Sequence, residues 1–337
     1  MDEKIDFVIT WVDGSDPKWV EEKRKYETKM SDDKDELFDI WNNNEIRYRD
    51  WDNLRYWFRS VEKFAPWVNK IHFVTYGHLP SWLNVNNDKL NIVKHKDFIP
   101  EKYLPTFNSN AIELNLHRIN GLSNKFVYFN DDMFLLRKTK KNDFFKKNFP
   151  CETAALDCVS LDWNVGHAEI KNMQIINKYF NKRKVIRNNL NKWFNLIYGK
   201  HLIKTLILLP WDRFTGLYET HLPCSYIKKN FYTLWSKEYS LFNATCMNRF
   251  RTENDINHWL IKNWQIATGE FYPRNPNIGK MYLKIIDEEI IERIIKQKCK
   301  IICINDISCL EEEFIKQKEN LNRAFEKILP EKCSFEK

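Results

Sequence analysis

Short, wholly apolar runs separated by polar punctuation organise the first 135 residues. Ile5-Asp6-Phe7-Val8-Ile9-Thr10-Trp11-Val12 has the length and residue types of a buried strand. It breaks at Asp13-Gly14-Ser15-Asp16-Pro17, a dense turn cluster. Lys18 to Lys34 is highly charged and is expected to form an exposed helix. In Glu45 to Phe64, Leu54, Trp57, Phe58 and Val61 fall on one helical face, and Pro66 ends the helix. Lys70–Thr75 and Leu90–His95 read as the second and third strands. Ser109 then caps a helix with Ile112, Leu116 and Ile119 on one face, stopped by Gly121. A fourth apolar run, Lys125-Phe126-Val127-Tyr128-Phe129, follows. This alternation predicts an α/β fold: a Rossmann-like, mostly parallel sheet with right-handed crossovers, flanked by helices.

The pattern changes in the middle of the chain. No acidic residue occurs between Glu169 and Asp212, whereas Lys171, Lys178, Lys182, Arg183, Lys184, Arg187, Lys192, Lys200 and Lys204 do. Tyr179, Phe180, Trp193, Phe194, Leu196, Ile197, Tyr198, Leu202, Ile203 and Leu206 to Leu209 interrupt them. One or two basic amphipathic helices are expected, a composition that suits an anionic membrane interface. The alternative is a solvated helix packed on the core. The chain therefore divides into an N-terminal α/β part (1–165), a basic amphipathic helical insertion (166–212) and a C-terminal part (213–337) that completes a single domain with the first. In that last part Ile301–Asn305 reads as a short strand and Ser308–Leu329 as a charged amphipathic helix before Pro330.

Composition narrows the function classes. The 337 residues carry a formal net charge of +8, which favours anionic partners. No Lys/Arg stripe with interleaved stacking aromatics marks a nucleic-acid face. Aromatic residues make up 15% of the chain, enough to supply both a core and an aromatic-lined cleft. The eight cysteines form no Cys-x-x-Cys pair, which weakens a structural zinc site and fits reduced thiols in a cytoplasmic protein. The start Met1-Asp2-Glu3-Lys4 does not read as a signal peptide, and no apolar run is long enough to span a bilayer.

The sharpest chemical feature is where the fourth strand ends. Phe129 is followed by Asn130-Asp131-Asp132, and the chain then turns apolar again. Ligands of open α/β sheets gather at the carboxyl ends of strands. Two adjacent carboxylates repel there, and burying them unpaired is costly. A divalent metal carrying a nucleotide diphosphate satisfies both constraints. The competing account is a loop pair that caps the next helix and faces water.

Four motif regions go beyond ordinary α/β sequence. The first is Asp6-Phe7-Val8-Ile9-Thr10-Trp11-Val12-Asp13-Gly14. The second includes Asn44-Glu45-Ile46-Arg47-Tyr48, Asp52-Asn53-Leu54-Arg55-Tyr56, Arg59-Ser60, Ala65-Pro66-Trp67-Val68, Leu79-Pro80-Ser81-Trp82-Leu83, His117-Arg118-Ile119 and Asn130-Asp131-Asp132. The third is His221-Leu222-Pro223. The fourth is Asn248-Arg249-Phe250-Arg251, followed by Asp255-Ile256-Asn257 and Ala267-Thr268-Gly269. In this order they resemble the Stealth family of sugar-phosphate transferases, which includes bacterial capsular and receptor polysaccharide phosphotransferases and the α/β subunit of animal N-acetylglucosamine-1-phosphotransferase.

The resemblance implies that a hexose- or N-acetylhexosamine-1-phosphate moves from a UDP-sugar to a hydroxyl of a lipid-linked saccharide. UMP would leave, at the inner face of a bacterial plasma membrane. A metal-dependent glycosyltransferase releasing UDP is the alternative, and a binding module without catalysis is a third. Charge neutralisation on a phosphodiester calls for metal and arginine. Asp131 and Asp132 are expected to bind Mg²⁺ or Mn²⁺, or one of them to act as base. In an extended segment Arg249 and Arg251 would point the same way, into one phosphate pocket. The resemblance places His221 as general acid–base. Asp13, Gly14, Asn53, Arg55, Asn130, His117 and Arg118 are the expected donor-sugar contacts. Asp13-Gly14 as a plain turn, and His117 and Arg118 as helix-surface residues, stay open.

Overall fold

A computed structural model describes residues 4–27, 45–160 and 166–337. Among these, the strands are β1 (Ile5–Trp11), β2 (Ile71–Thr75), β3 (Leu90–Lys94), β4 (Lys125–Phe129), β5 (Met133–Leu135), β6 (Phe145–Lys146), β7 (Phe149–Glu152), β8 (Cys224–Ile227), β9 (Tyr272–Pro273), β10 (Gly279–Tyr282) and β11 (Ile301–Ile304). Five of them form the central sheet in the order β3-β2-β1-β4-β8. The first four are parallel, and β8 runs antiparallel to β4 at the edge. The expected mixed α/β class with a mostly parallel sheet is present.

The period-2 alternation of β1 and β4 sends side chains into two cores. Phe7, Ile9, Val127 and Phe129 meet Leu54, Trp57, Phe58 and Val61 of the Leu54–Phe64 helix on one face. Leu321 and Phe325 of the C-terminal Glu311–Ile328 helix complete that layer. Val8, Phe126 and Tyr128 face the other way, against Leu114, Tyr226, Phe231, Leu260 and Ile261. A second sheet, β10-β11-β5, stands beside the first, and a small third sheet joins β6, β7 and β9.

Several elements depart from the periodic reading for local reasons. The stretch expected as one helix from Glu45 is a 3₁₀ turn at Glu45–Tyr48, then a break, then Leu54–Phe64. The Asp50 carboxylate accepts from the Asp52 amide at 2.9 Å, and Asp52 adopts φ 52, which closes a turn no helix can continue through. Asn108, not Ser109, caps the next helix, its side chain accepting from the Asn110 amide. That helix ends at Leu114, where the Asn115 side chain donates to the Ala111 carbonyl at 2.8 Å. Of the Lys18–Lys34 expectation, Pro17–Glu27 is helical, and the remainder lies outside the described residues.

The basic segment is more broken than expected. It comprises Gly166–Tyr179, Lys182–Asn188, Leu190–Trp193, a 3₁₀ turn at Leu196–Tyr198 and His201–Leu208. Asn181 and Asn195 accept from the amides of Lys184 and Ile197 and so start new segments. Gly199 at φ 55 turns the chain again. The segment is docked on the body: Phe180 packs edge-on against Trp264 at 4.8 Å, and Asn172 donates to Asn257 at 2.7 Å. Lys182, expected as an outward-facing cation, is instead buried and donates to the Leu208 carbonyl at 2.8 Å.

Candidate active site

Asn130, Asp131 and Asp132 are the three residues between β4 and β5, where the chain leaves the central sheet for the second one. Neither hydrogen-bond ladder reaches their side chains. Three other segments converge on this turn. Pairing of Tyr128 with Cys224 is antiparallel, so continuing the register past the sheet end carries His221 up against it. His221 Nε2 lies 3.2 Å from Asn130 Nδ2 and 3.4 Å from Asp132 Oδ2. A neutral imidazole accepts from the amide there, and a protonated one donates to the carboxylate. From the second sheet, the pairing of Cys303 with Met133 sets the Cys303 Sγ 3.3 Å from Asp132 Oδ2.

A cavity of about 470 Å³ opens over this turn, a volume suited to a nucleotide-sized ligand. Asn53, Asn130, Asp131, Asp132, His221 and Arg251 all line it. Burial pushes the Asp131 carboxyl up to about 7, and the neighbouring Asp132 and Asp50 carboxylates add to the shift. Arg251 donates to Ser109 Oγ at 2.6 Å. A polar knot holds its segment. Asn108 donates to the Phe250 carbonyl at 3.2 Å and to the Asp255 carboxylate at 2.7 Å, and Asn248 and Thr252 donate to the same carboxylate.

Arg249 does not share this pocket. The backbone bends at Arg249-Phe250, where the Phe107 amide bonds the Arg249 carbonyl and Phe250 stacks on Phe107 at 5.2 Å. An extended stretch would have aligned the two guanidiniums; the bend leaves Arg249 over the Tyr26 ring at 5.7 Å. Arg55 also stands outside the cavity wall, 3.9 Å from Asp52 and 5.8 Å from the Trp82 ring centre. Asp13 closes its own turn by accepting from the Ser15 amide and hydroxyl. Gly14 is required by shape, because a Cβ there would sit 2.0 Å from the Tyr48 carbonyl oxygen. The Asp13-Gly14 turn thus bears on the cavity through Tyr48, which lines it.

His117 is fully buried between Phe231 and Tyr232, and burial, with Arg118 beside it, drags its pKa to about 3. Arg118 donates to Asn115 at 2.9 Å and covers Trp235. Both lie away from the cavity: the helix they were read on ends at Leu114, and the 3₁₀ turn that follows buries His117 and leaves Arg118 on the surface. Asn44 lies outside the described residues.

Other side chains complete the wall. Arg47 faces the cavity with its pKa lowered to about 10 by burial and by Arg251, while the Asp132 carboxylate works against that shift. Arg49 makes a two-pronged bond to Asp306 at 2.9 and 2.7 Å. Glu113 is buried and accepts from the Tyr128 hydroxyl at 3.1 Å; burial raises its pKa to about 7. His258 Nε2 lies 3.8 Å from Glu113, and burial keeps that imidazole neutral. Arg47 sits inside a quoted motif, and Glu113 is a carboxylate beside the apolar face of a helix, so both carried a signal. Cys303, inside Ile301-Ile302-Cys303-Ile304, carried none; only strand register brings it to Asp132.

Oxygen-rich donors suit a hard divalent cation. Asp132 Oδ1 and Asn130 Oδ1 are buried with no hydrogen-bond partner among the described residues. Asp132, His221 and Cys303 place one ligand atom each within 4.8 Å of one another; Asp131 is not in that group. These residues fit a divalent metal.

Family models match two stretches: Stealth protein CR1, conserved region 1, over residues 3–31, and Stealth protein CR2, conserved region 2, over residues 47–152. Three relatives align along nearly the whole chain. The capsular polysaccharide phosphotransferase WcwK of Streptococcus pneumoniae is 48% identical over 337 residues, covering 99% of this chain and 98% of that protein. The exopolysaccharide phosphotransferase cps2G of Lactiplantibacillus plantarum is 41% identical, covering 99% and 96%. The receptor polysaccharide phosphotransferase WefC of Streptococcus gordonii is 39% identical and covers 100% of both.

Proposed function

Because this chain belongs to the Stealth family of polysaccharide phosphotransferases, we propose that it transfers a hexose- or N-acetylhexosamine-1-phosphate from a UDP-sugar to a hydroxyl of a lipid-linked saccharide, releasing UMP. The observation that carries the proposal is the meeting of Asn130-Asp131-Asp132, His221, Arg251 and Arg47 around one cavity. Carboxylates, an imidazole and two guanidiniums line the same cavity. The guanidiniums suit the phosphates of a donor diphosphate, and a cation would join those phosphates to the carboxylates.

In the proposed reaction the acceptor oxygen bonds to the β-phosphorus. The bond from that phosphorus to the bridging oxygen breaks, and the electron pair leaves with UMP. His221 Nε2 takes the hydroxyl proton, and Asp132, 3.4 Å away, stabilises the resulting imidazolium. Asn130 orients the imidazole before transfer by donating to the same nitrogen. Arg251, braced by Ser109, and Arg47 hold the donor phosphates. Mg²⁺ or Mn²⁺, held by the buried Oδ1 atoms of Asp132 and Asn130, would neutralise charge on the phosphate oxygens and leave His221 Nε2 to take the proton.

The lipid-borne acceptor puts the enzyme at the cytoplasmic face of the membrane as a peripheral protein. No helix among the described residues is long and apolar enough to cross a membrane. The deciding experiment incubates the protein with Mn²⁺ or Mg²⁺, a panel of UDP-sugars and a saccharide acceptor, and identifies the nucleotide released. UMP with a phosphodiester in the product supports the proposal. UDP with a plain glycosidic product overturns it in favour of an ordinary metal-dependent glycosyltransferase.

A further inference from the structure

The basic segment ends in an apolar prong. Leu196 and Ile197 in the 3₁₀ turn, Ile203, Leu206 and Ile207 on the His201–Leu208 helix, and Trp211 just beyond it are between 41% and 88% exposed. Ile203, Leu206 and Ile207 are spaced i, i+3 and i+4 and therefore share one helical face. Scattered exposed aliphatics are ordinary on a protein surface; six large ones within sixteen residues are not. The helix does not owe this exposure to being loosely held. Thr205 on its opposite side is buried and accepts from the Leu156 amide at 3.1 Å, and the Lys182 ammonium fixes the Leu208 carbonyl. A rigid mount thus holds aliphatic side chains out into solvent.

The surroundings are cationic. Lys184, Arg187 and Lys200 are exposed, and no acidic residue occurs from residue 170 to 211. Lys178, Arg183 and Lys204 reach carboxylates, Glu238, Asp212 and Asp157, at 2.5, 2.7 and 2.8 Å. An apolar tip inside a basic rim matches the layering of an anionic bilayer: acyl chains beneath, phosphates at the level of the ammonium and guanidinium groups.

We propose that the Leu196–Trp211 prong inserts into the acyl boundary of an anionic membrane, with the surrounding Lys and Arg on lipid phosphates. The anchor is hydrophobic insertion rather than charge adsorption, and Lys182 serves as an internal strut, not a lipid contact. The proposal deepens the lipid-linked acceptor reading: the segment that inserts continues from the Gly166–Tyr179 helix, whose His167 and Glu169 line the active-site cavity. Insertion would therefore bring that cavity to an acceptor held at the same surface.

Flotation of the full-length protein with vesicles of phosphatidylglycerol and phosphatidylethanolamine tests this, with phosphatidylcholine vesicles as reference. The parent should float with the anionic vesicles and retain part of that binding in high salt. The triple variant Leu196→Ser, Ile203→Ser, Ile207→Ser should lose binding by at least ~10-fold while keeping its melting temperature, since all three side chains face solvent. Lys184→Gln with Lys200→Gln should weaken binding only at low salt. UMP release with a water-soluble acceptor should be unchanged in the triple variant, which separates failure of the prong from failure of the phosphotransfer chemistry. Absence of parent binding, or equal binding by parent and triple variant, would overturn the proposal. So would a concentration-dependent dimer, seen by light scattering, that the triple variant makes monomeric without any vesicle binding.

Discussion

Replacing Glu113 with Gln probes the electrostatics beneath the active-site cavity. The carboxyl is buried, accepts from Tyr128, and faces the neutral imidazole of His258; Arg251, His221 and Ser109 also act on it. Its pKa is raised from 4.5 to about 7, chiefly by burial. The folded chain therefore binds this proton more tightly than the unfolded chain. Between those two values the native state carries more protons, so this group's contribution to stability falls as pH rises. The full interval corresponds to about 3 kcal/mol at ~1.36 kcal/mol per pH unit. About 2 kcal/mol of it is lost between about pH 5.5 and about pH 8.

Glu113→Gln keeps the acceptor for Tyr128 and removes the charge. Urea unfolding of parent and variant at those two pH values isolates the term, because other titrating groups such as Asp131 are common to both proteins. The parent should lose about 2 kcal/mol more than the variant on going to the higher pH. Parallel losses, agreeing to about 0.5 kcal/mol, would refute the claim that folding buries a reluctant carboxylate here.

Three further outcomes follow from the same site. His221→Ala should lower UMP release by about 10²–10⁴-fold with an unchanged melting temperature; a loss smaller than that, in a folded variant, rules out proton transfer at Nε2. Asp132→Asn should raise the Mn²⁺ or Mg²⁺ concentration for half-maximal activity by at least ~10-fold, and an unchanged metal titration curve moves the metal elsewhere. Gly14→Ala forces a Cβ against the Tyr48 carbonyl and should cost about 1–3 kcal/mol in thermal or urea unfolding; a neutral result means the Asp13-Gly14 turn gives way freely.

Much of the fold was legible because its signals are local. β1, β2, β3 and β4 are runs of Val, Ile, Phe and Tyr bounded by turn residues, and Leu54, Trp57, Phe58 and Val61 mark a helix face by spacing alone. What stayed hidden depends on partners far along the chain. Nothing in Cys224-Ser225-Tyr226-Ile227 says that it will close the sheet antiparallel to β4, yet that pairing delivers His221 to Asp132. Helix breaks at Asp52 and Asn115 depend on one side chain each bonding back to the main chain, and the second separates His117 and Arg118 from the helix they were read on. Charge counting marked Lys182 and Lys184 alike, but one is buried in a carbonyl contact and the other faces solvent.

The position of Asn130-Asp131-Asp132 also explains why two carboxylates can sit side by side without unravelling the fold. β4 before them is locked between β1 and β8, and β5 after them is locked to β11. The Ile304 amide additionally bonds the Asp132 carbonyl at 3.0 Å. Backbone on both sides is fixed by ladders of two different sheets, so mutual repulsion cannot be relieved by moving the chain. Burial first, and then the neighbouring carboxylates, raise the pKa of Asp131, and a cation brought in from outside would relieve the repulsion. A turn held this firmly keeps Asp132 Oδ1 and Asn130 Oδ1 buried and without a hydrogen-bond partner among the described residues, two acceptors whose demand a cation would meet.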